Sequence, residues 1–328
     1  MRAPHRPPPT HRRQRGAALL TAMIIVTLVA TLAASMVWQQ WRAVQVESAE
    51  RARAQAAWIL SGALDFARLI LLEDRKSRTG SQITALTEPW ATPLAESRLS
   101  TFLAVDKANA DDGPEAFLSG SIGDAQALYN LRNLVAVADG KYSVAPLELA
   151  TLERLCETVG IETGIAGRIA TGLRDATAAS GSAGTAAAPL LPAQVTQLAW
   201  LGVDAASIAA LRPYVVLLPM ATTVNVNTAS PEVLAASISG LDNASAARLV
   251  QMRQRTPYKT LTAFTEQVPS LTVRPEAVGI RSEFFEVRSR LRLIDRVLVE
   301  RSLVQRLSNT EAKVLQRERV ASLEQAGG

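Results

Sequence analysis

The sequence predicts an α+β protein with three parts: a long N-terminal transmembrane helix, a small antiparallel sheet, and an all-α domain of helix-turn-helix units inserted in the sheet. Three observations carry this. Residues Ala17 to Trp41 are 25 consecutive positions without Asp, Glu, Lys or Arg. Strand-like apolar alternation occurs near 116–122 and returns at 285–304. Between these stretches, Gly-apolar-acid triplets at 160–162, 202–204 and 240–242 each divide runs rich in Ala and Leu.

A charge-free helix of that length exceeds the roughly 20 residues that cross a bilayer core. Residues 1–16 carry arginines at 2, 6, 12, 13 and 15 and no acid, a bias that keeps this end cytoplasmic and sends the remainder across. Residues 17–41 are therefore the transmembrane helix. Residues 42–75 continue it on the far side, because Arg42 to Leu72 contains no Pro and a single Gly and sets Ile59, Ala63, Phe66 and Ile70 at helical spacing. Trp38 and Trp41 fall where an interfacial aromatic belt sits, and Glu47 with Arg51 and Glu50 with Arg53 are spaced for helix-surface pairs.

Composition removes several chemistries. Without the five leader arginines the chain holds 30 basic against 30 acidic residues, so net charge gives no broad attraction to nucleic acid. Both histidines, His5 and His11, lie in the leader, which excludes Ser-His-Asp and His-metal sites from the rest. Cys156 is the single cysteine, so no internal disulfide forms, and its apolar neighbours make it a buried residue. With no acid pair or phosphate loop standing out, an enzyme is not expected.

Residues 76–145 read as the first part of the sheet region. Glu73 to Asn109 is a loop with short elements, Ala116 to Ile122 is a strand, and Gly123-Asp124 is a turn. Residues 146–275 form the inserted helical domain. In each triplet the Gly closes one helix in a left-handed conformation, the apolar residue enters the core, and the acid starts the next helix. Asp175 to Ala188, made almost wholly of Ala, Ser, Gly and Thr, is expected to be a mobile loop. Residues 276–307 supply a closing β-hairpin: Phe285, Val287, Ser289, Leu291 and Leu293 alternate with Glu286, Arg288, Arg290 and Arg292. The arginine row is taken as a solvated face. Residues 308–328 are a flexible tail.

Arg15-Gly16-Ala17 followed by an apolar run resembles a type IV prepilin site. The resemblance implies cleavage between Gly16 and Ala17 and N-methylation of Ala17; an uncleaved signal anchor is the alternative. Most prepilins carry Glu at the fifth mature position, and this chain has Thr21. Tyr129-Asn130-Leu131-Arg132-Asn133-Leu134, which follows Asp124, and Val224-Asn225-Val226-Asn227-Thr228 are similar to segments of the K-type minor pseudopilins of type II secretion systems. That resemblance covers nearly the whole chain after the leader. It implies a non-enzymatic inner-membrane subunit with its bulk in the periplasm, at the tip of a pseudopilus that supports export of folded proteins. Implied partners are the I-type and J-type minor pseudopilins, the major pseudopilin and the prepilin peptidase, with no nucleic acid and no cofactor. The family is associated with calcium in its α domain. Here the matching stretch offers only Asp175, followed by Ala, Thr and Ser, whereas calcium needs several oxygen ligands.

One other reading shares the third helical unit, a membrane-anchored helix-hairpin-helix DNA receptor of competence type, and a minor pilin of a related type IV pilus is a further alternative. For DNA, Asp242 stands where a second hairpin Gly would meet phosphate, and its charge opposes one. The DNA reading predicts binding through Arg253 and Arg255.

Overall fold

The fold was examined in a computed structural model, which describes residues 15–77, 83–99, 116–180, 189–293 and 296–320. It is α+β. Helix α1, Arg15–Ser77, is continuous, and the chain divides into two compact units at Trp58 and Ile59. In the first unit the apolar side chains from Leu19 to Trp41 are exposed, and the helix is long and apolar enough to cross a membrane. The Glu47–Arg51 and Glu50–Arg53 pairs form there, on an exposed surface where such pairs contribute little. Of the leader, residues 1–14 lie outside the described residues, and Arg15 and Gly16 are already helical.

The second unit begins with the rest of α1. Its buried face is Leu60, Leu64, Ala67 and Leu71, whereas Phe66 is 41% exposed. The face expected from Ile59, Ala63, Phe66 and Ile70 is thus rotated by about one residue, because two adjacent apolar stripes compete and the leucine stripe faces the sheet. A 3-10 turn at Pro89–Ala91 leads to β1, Leu94–Arg98, and then β2, Ala116–Asp124. The sheet resumes with β9, Phe284–Leu293, β10, Arg296–Arg306, and β11, Ala312–Val320. Its order is β1-β2-β9-β10-β11, antiparallel throughout. Leu64, Ala67 and Leu71 pack with Trp90, Phe285, Val287, Val304 and Ala312, and Trp90 meets Phe285 edge-on at 5.3 Å.

The expected flexible tail at 308–328 is corrected for its first half. Residues Ala312–Val320 pair with β10 along its length, so a hairpin becomes a three-stranded meander; residues 321–328 lie outside the described residues. Sheet pairing outweighs the polar composition of this strand, whose Arg317 closes on the buried Glu300 at 2.7 Å. On the outer face of β9, Arg290 and Arg292 reach Glu96 at 3.4 and 2.7 Å, and Arg292 stacks 3.9 Å from the Phe117 ring. The arginine row is laced with acids across the strands.

Everything between β2 and β9 is the inserted region. The chain leaves the sheet at Asp124, not at residue 146, since Tyr129, Leu131 and Leu134 belong to the core of the helical part. The insertion opens with β3, Tyr129–Asn130, and a hairpin of β4, Val135–Ala138, and β5, Lys141–Val144. Helices α2, Pro146–Thr158, α3, Gly164–Ser180, and α4, Ala205–Leu211, follow. After β6, Val215–Val216, and β7, Val224–Asn225, come α5, Pro231–Ser237, α6, Asn243–Arg255, and α7, Leu261–Thr265. A short β8, Val278–Gly279, pairs with β7 before the return.

The glycines of all three triplets and the acids of the second and third work as read. Gly160, Gly202 and Gly240 have φ of 75°, 76° and 83°, which glycine adopts without the steric cost other residues meet. Asp204 and Asp242 accept the Ser207 and Ser245 amides at 2.9 and 2.8 Å, capping α4 and α6. The loop expected from Asp175 is instead helical to Ser180, as its alanines favour; residues 181–188 lie outside the described residues.

Candidate functional site

Of the residues singled out in the two Asn-rich segments, Asn225 and Thr228 reach a buried joint where the inserted region meets the sheet. At its centre is Asp124, the last residue of β2. One carboxylate oxygen accepts the Gln126 amide at 2.8 Å. The other accepts Asn225 Nδ2 at 2.9 Å, the Thr228 hydroxyl at 2.6 Å and the Ser282 hydroxyl at 2.6 Å. Burial raises the Asp124 pKa, and the bonds from Ser282 and Thr228 oppose that rise. A buried carboxylate is tolerated only when its oxygens are satisfied in this way.

Asn225 also donates to Thr84 O and Ser282 Oγ, both at 2.9 Å, and its own oxygen accepts the Asn227 amide at 3.0 Å. Asn227 and Tyr258 form a reciprocal pair: side-chain Nδ2 to Tyr258 O at 3.0 Å and Tyr258 N to Oδ1 at 2.9 Å. Asn133 makes the same two-bond pair with Thr222, at 2.8 and 3.0 Å. Asn130 accepts the amides of Arg132 and Leu218 and donates to Met220 O at 2.7 Å. A carboxamide has the donor and acceptor of a peptide group, so Asn pairs with a backbone segment as a strand would. Asp in the same place would lack the donor, and Leu would leave buried peptide groups unpaired.

Tyr129 is buried and its hydroxyl lies 3.0 Å from Glu148 O; burial, with Glu148 beside it, holds its pKa well above the usual phenol range. Leu131 is fully buried with the helical core. Arg253 is buried and donates to Val226 O and Ala229 O, and desolvation lowers its pKa to about 10, so it remains a cation at neutral pH. The arrangement holds chain segments together.

The family model described as "Type II secretion system (T2SS), protein K" matches residues 127–220 and 224–282, which contain the Asn side chains of the joint. The chain belongs to the K-type minor pseudopilins of type II secretion systems. Relatives named type II secretion system protein K include one from Pseudomonas aeruginosa, 28% identical over 94% of this chain and 93% of that one. Another, from Klebsiella pneumoniae, is 29% identical over 94% and 97%. In fold the chain is similar to a chain in the crystal structure of the GspK-GspI-GspJ complex from enterotoxigenic Escherichia coli, with TM-score 0.66 and 21% identity, covering 84% of this chain and 99% of that chain.

In this K-type pseudopilin the structure brings Asn225 and Thr228 to the joint at Asp124, whereas Asn130, Asn133 and Asn227 tie segments of the inserted region to one another and Tyr129 and Leu131 lie in its core. Gly16 and Ala17 lie in the first turn of α1 and do not belong to it. Thr21 turns its hydroxyl back onto Ala17 O within the helix. Sequence reading missed Thr84, Gln126, Ser282 and Arg306 as members. The Asp preceding the Tyr129 segment was the one available signal for Asp124.

Arg253 cannot serve the DNA reading as expected, because both its terminal nitrogens are engaged with buried carbonyls. Asp242 caps α6 and occupies the place a phosphate would need. As for calcium, Asp175 is paired with Arg174 at 2.7 Å, and no group of three or more His, Cys, Asp or Glu converges among the described residues.

Proposed function

We propose that this minor pseudopilin sits at the tip of the pseudopilus, anchored in the inner membrane with its N-terminus cytoplasmic and its globular part in the periplasm. In that role it is non-enzymatic and supports export of folded proteins through the outer membrane. The observation that carries the reading is Thr21 in a helix without any carboxylate before Glu47. A terminal ammonium buried among packed helices is costly unless an acid receives it. A subunit that cannot receive a neighbour's terminus fits the end of the assembly, where none has to be received.

The Gly16-Ala17 junction supports cleavage by a prepilin peptidase and methylation of Ala17. The structural neighbour was solved with GspI and GspJ, which supports I-type and J-type pseudopilins as partners; the major pseudopilin would follow beneath them. Two measurements test this on protein from membranes of cells with a prepilin peptidase. Mass spectrometry should give N-methylated Ala17, and an intact Met1 or a start near Ala34 overturns the processing. Immunogold labelling of extended pseudopili should mark their ends, and label spaced along the filament refutes the tip.

A further inference from the structure

Arg306 lies on β10 where three parts of the second unit converge, and it is 4% exposed. One terminal nitrogen donates to Leu71 O at 3.2 Å and Asp74 Oδ2 at 3.4 Å, both in the last turns of α1. The other donates to Thr84 Oγ1 and Ser282 O, each at 3.2 Å. Its guanidinium stands 4.7 Å from the centre of the Phe285 ring. From Ser282 the hydroxyl reaches Asp124, whose other side-chain donors, Asn225 and Thr228, belong to the inserted region. A continuous hydrogen-bonded path therefore links the end of α1 to the loop that opens α5.

The inserted region is joined covalently to the sheet at a single rung, since Asp124 is the register partner of Phe285. Two crossings side by side make a natural hinge. The apolar contact there includes, among the described residues, a small cluster of Ala125, Leu218 and Phe284 with a few partly buried neighbours, and apolar contact holds no particular angle. A guanidinium has fixed donor directions, and here they meet acceptors on α1, on the segment before β1 and on the returning crossing.

We propose that Arg306 is a positioning residue that fixes the angle of the inserted helical region on the body formed by the sheet and the end of α1. It acts through Thr84, Ser282 and Asp124. The consequence for assembly, a helical region presented to neighbouring subunits at one angle, rests on the tip reading above; the angle itself does not.

The test uses the full chain in detergent micelles with Cys156→Ala and spin labels at Leu69→Cys on α1 and Met252→Cys on α6, both exposed. Electron–electron double resonance reads the distance distribution between them. Arg306→Met should broaden it about twofold, as for a hinge freed of its lock. A control pair within the helical region, Leu147→Cys with Met252→Cys, should not change. Adding Asp74→Leu removes the carboxylate that faces the guanidinium, so the double variant should regain melting temperature yet stay broad. A purely structural role would recover both together. Arg306→Lys should fall between wild type and Arg306→Met. Should both methionine variants fail to fold, Thr84→Val severs the same path at its next acceptor and decides. A wild-type distribution in any folded variant that lacks these links overturns the proposal.

Discussion

Replacing Asn225 by Asp exchanges one N–H₂ for an oxygen and changes little else in shape. In the native joint that nitrogen lies 2.9 Å from Asp124 Oδ2 and 2.9 Å from Thr84 O. The variant brings two carboxylates together without water, and one of them must hold a proton. Keeping protonated at pH 7 a group whose unfolded pKa is near 4 costs about 4 kcal/mol, and the lost bond to Thr84 adds about 1, giving about 5 kcal/mol. Asn225→Ala loses a charge-assisted bond and two or three neutral ones, about 3 kcal/mol, with no proton involved. The raised folded-state pKa in the Asp variant penalises stability above pH 4, and the penalty fades as pH falls toward that value. At pH 5 the Asp variant should therefore cost about 2.5 kcal/mol, slightly less than the Ala variant. Calorimetry of the full chain in detergent should place Asn225→Asp about 15 °C below wild type at pH 7, below Asn225→Ala, and show the order reversed at pH 5. An Asp variant as stable as the Ala variant at pH 7, or an unchanging gap between them, would refute the idea that the joint depends on this donor facing an ionised Asp124.

Native Asp124 carries its own pH signature: its pKa is raised by burial, so the folded state takes up a proton before the unfolded one. Wild type should gain stability relative to Asp124→Asn as pH drops from neutrality toward 4, read from paired melting curves. Gly120→Ala would set a Cβ 2.9 Å from the Arg288 carbonyl on the adjacent strand; its melting temperature should fall by an amount equivalent to about 1–3 kcal/mol. Gly62→Ala meets nothing within 4 Å and should gain up to about 1 kcal/mol by the same measurement. Ending the chain at Leu307 strips Arg68 of its acceptor on Ala312 and the buried Glu300 of Arg317. A buried carboxylate without its partner costs about 3–5 kcal/mol, and limited proteolysis should find the sheet open.

What could be read in the chain was what depends on neighbours in sequence. The charge-free run, the three Gly-apolar-acid stops and the β9 alternation each need only a few consecutive residues to declare a conformation. Strand β11 escaped because its irregularity interrupts the two-residue period: Leu303 and Val304 are opposite Gln316 and Val314, which places Val314 and Leu315 side by side and hides the alternation. The joint was half legible. Its asparagines stood out as motifs, but Ser282 is 158 positions from Asp124 and Arg306 is 222 from Thr84. Nothing local marks a serine or threonine as one that will meet a buried carboxylate. The burial of Arg253 had no local sign for the same reason, since its partners Val226 O and Ala229 O lie 24 or more positions away.

The polar character of the joint follows from where the insertion is made. Strands β2 and β9 are hydrogen-bonded neighbours, and the chain departs and returns at the Asp124–Phe285 rung, so a large helical region enters the sheet without altering its order. At that rung both crossings turn out of the ladder and present backbone groups that have no further strand to pair with. Buried, each such group costs about 1–3 kcal/mol if it stays unpaired. An apolar seal would have left them so. Gln126 answers one of them, accepting the Glu283 amide at 2.7 Å, and also donates to Thr223 O of the inserted region at 3.1 Å. Asn225 takes Thr84 O, and Asp124 orders the side-chain donors that remain. Asn225 and Thr228 thereby hold the helical region to the sheet through Asp124, at the place where the ladder is cut.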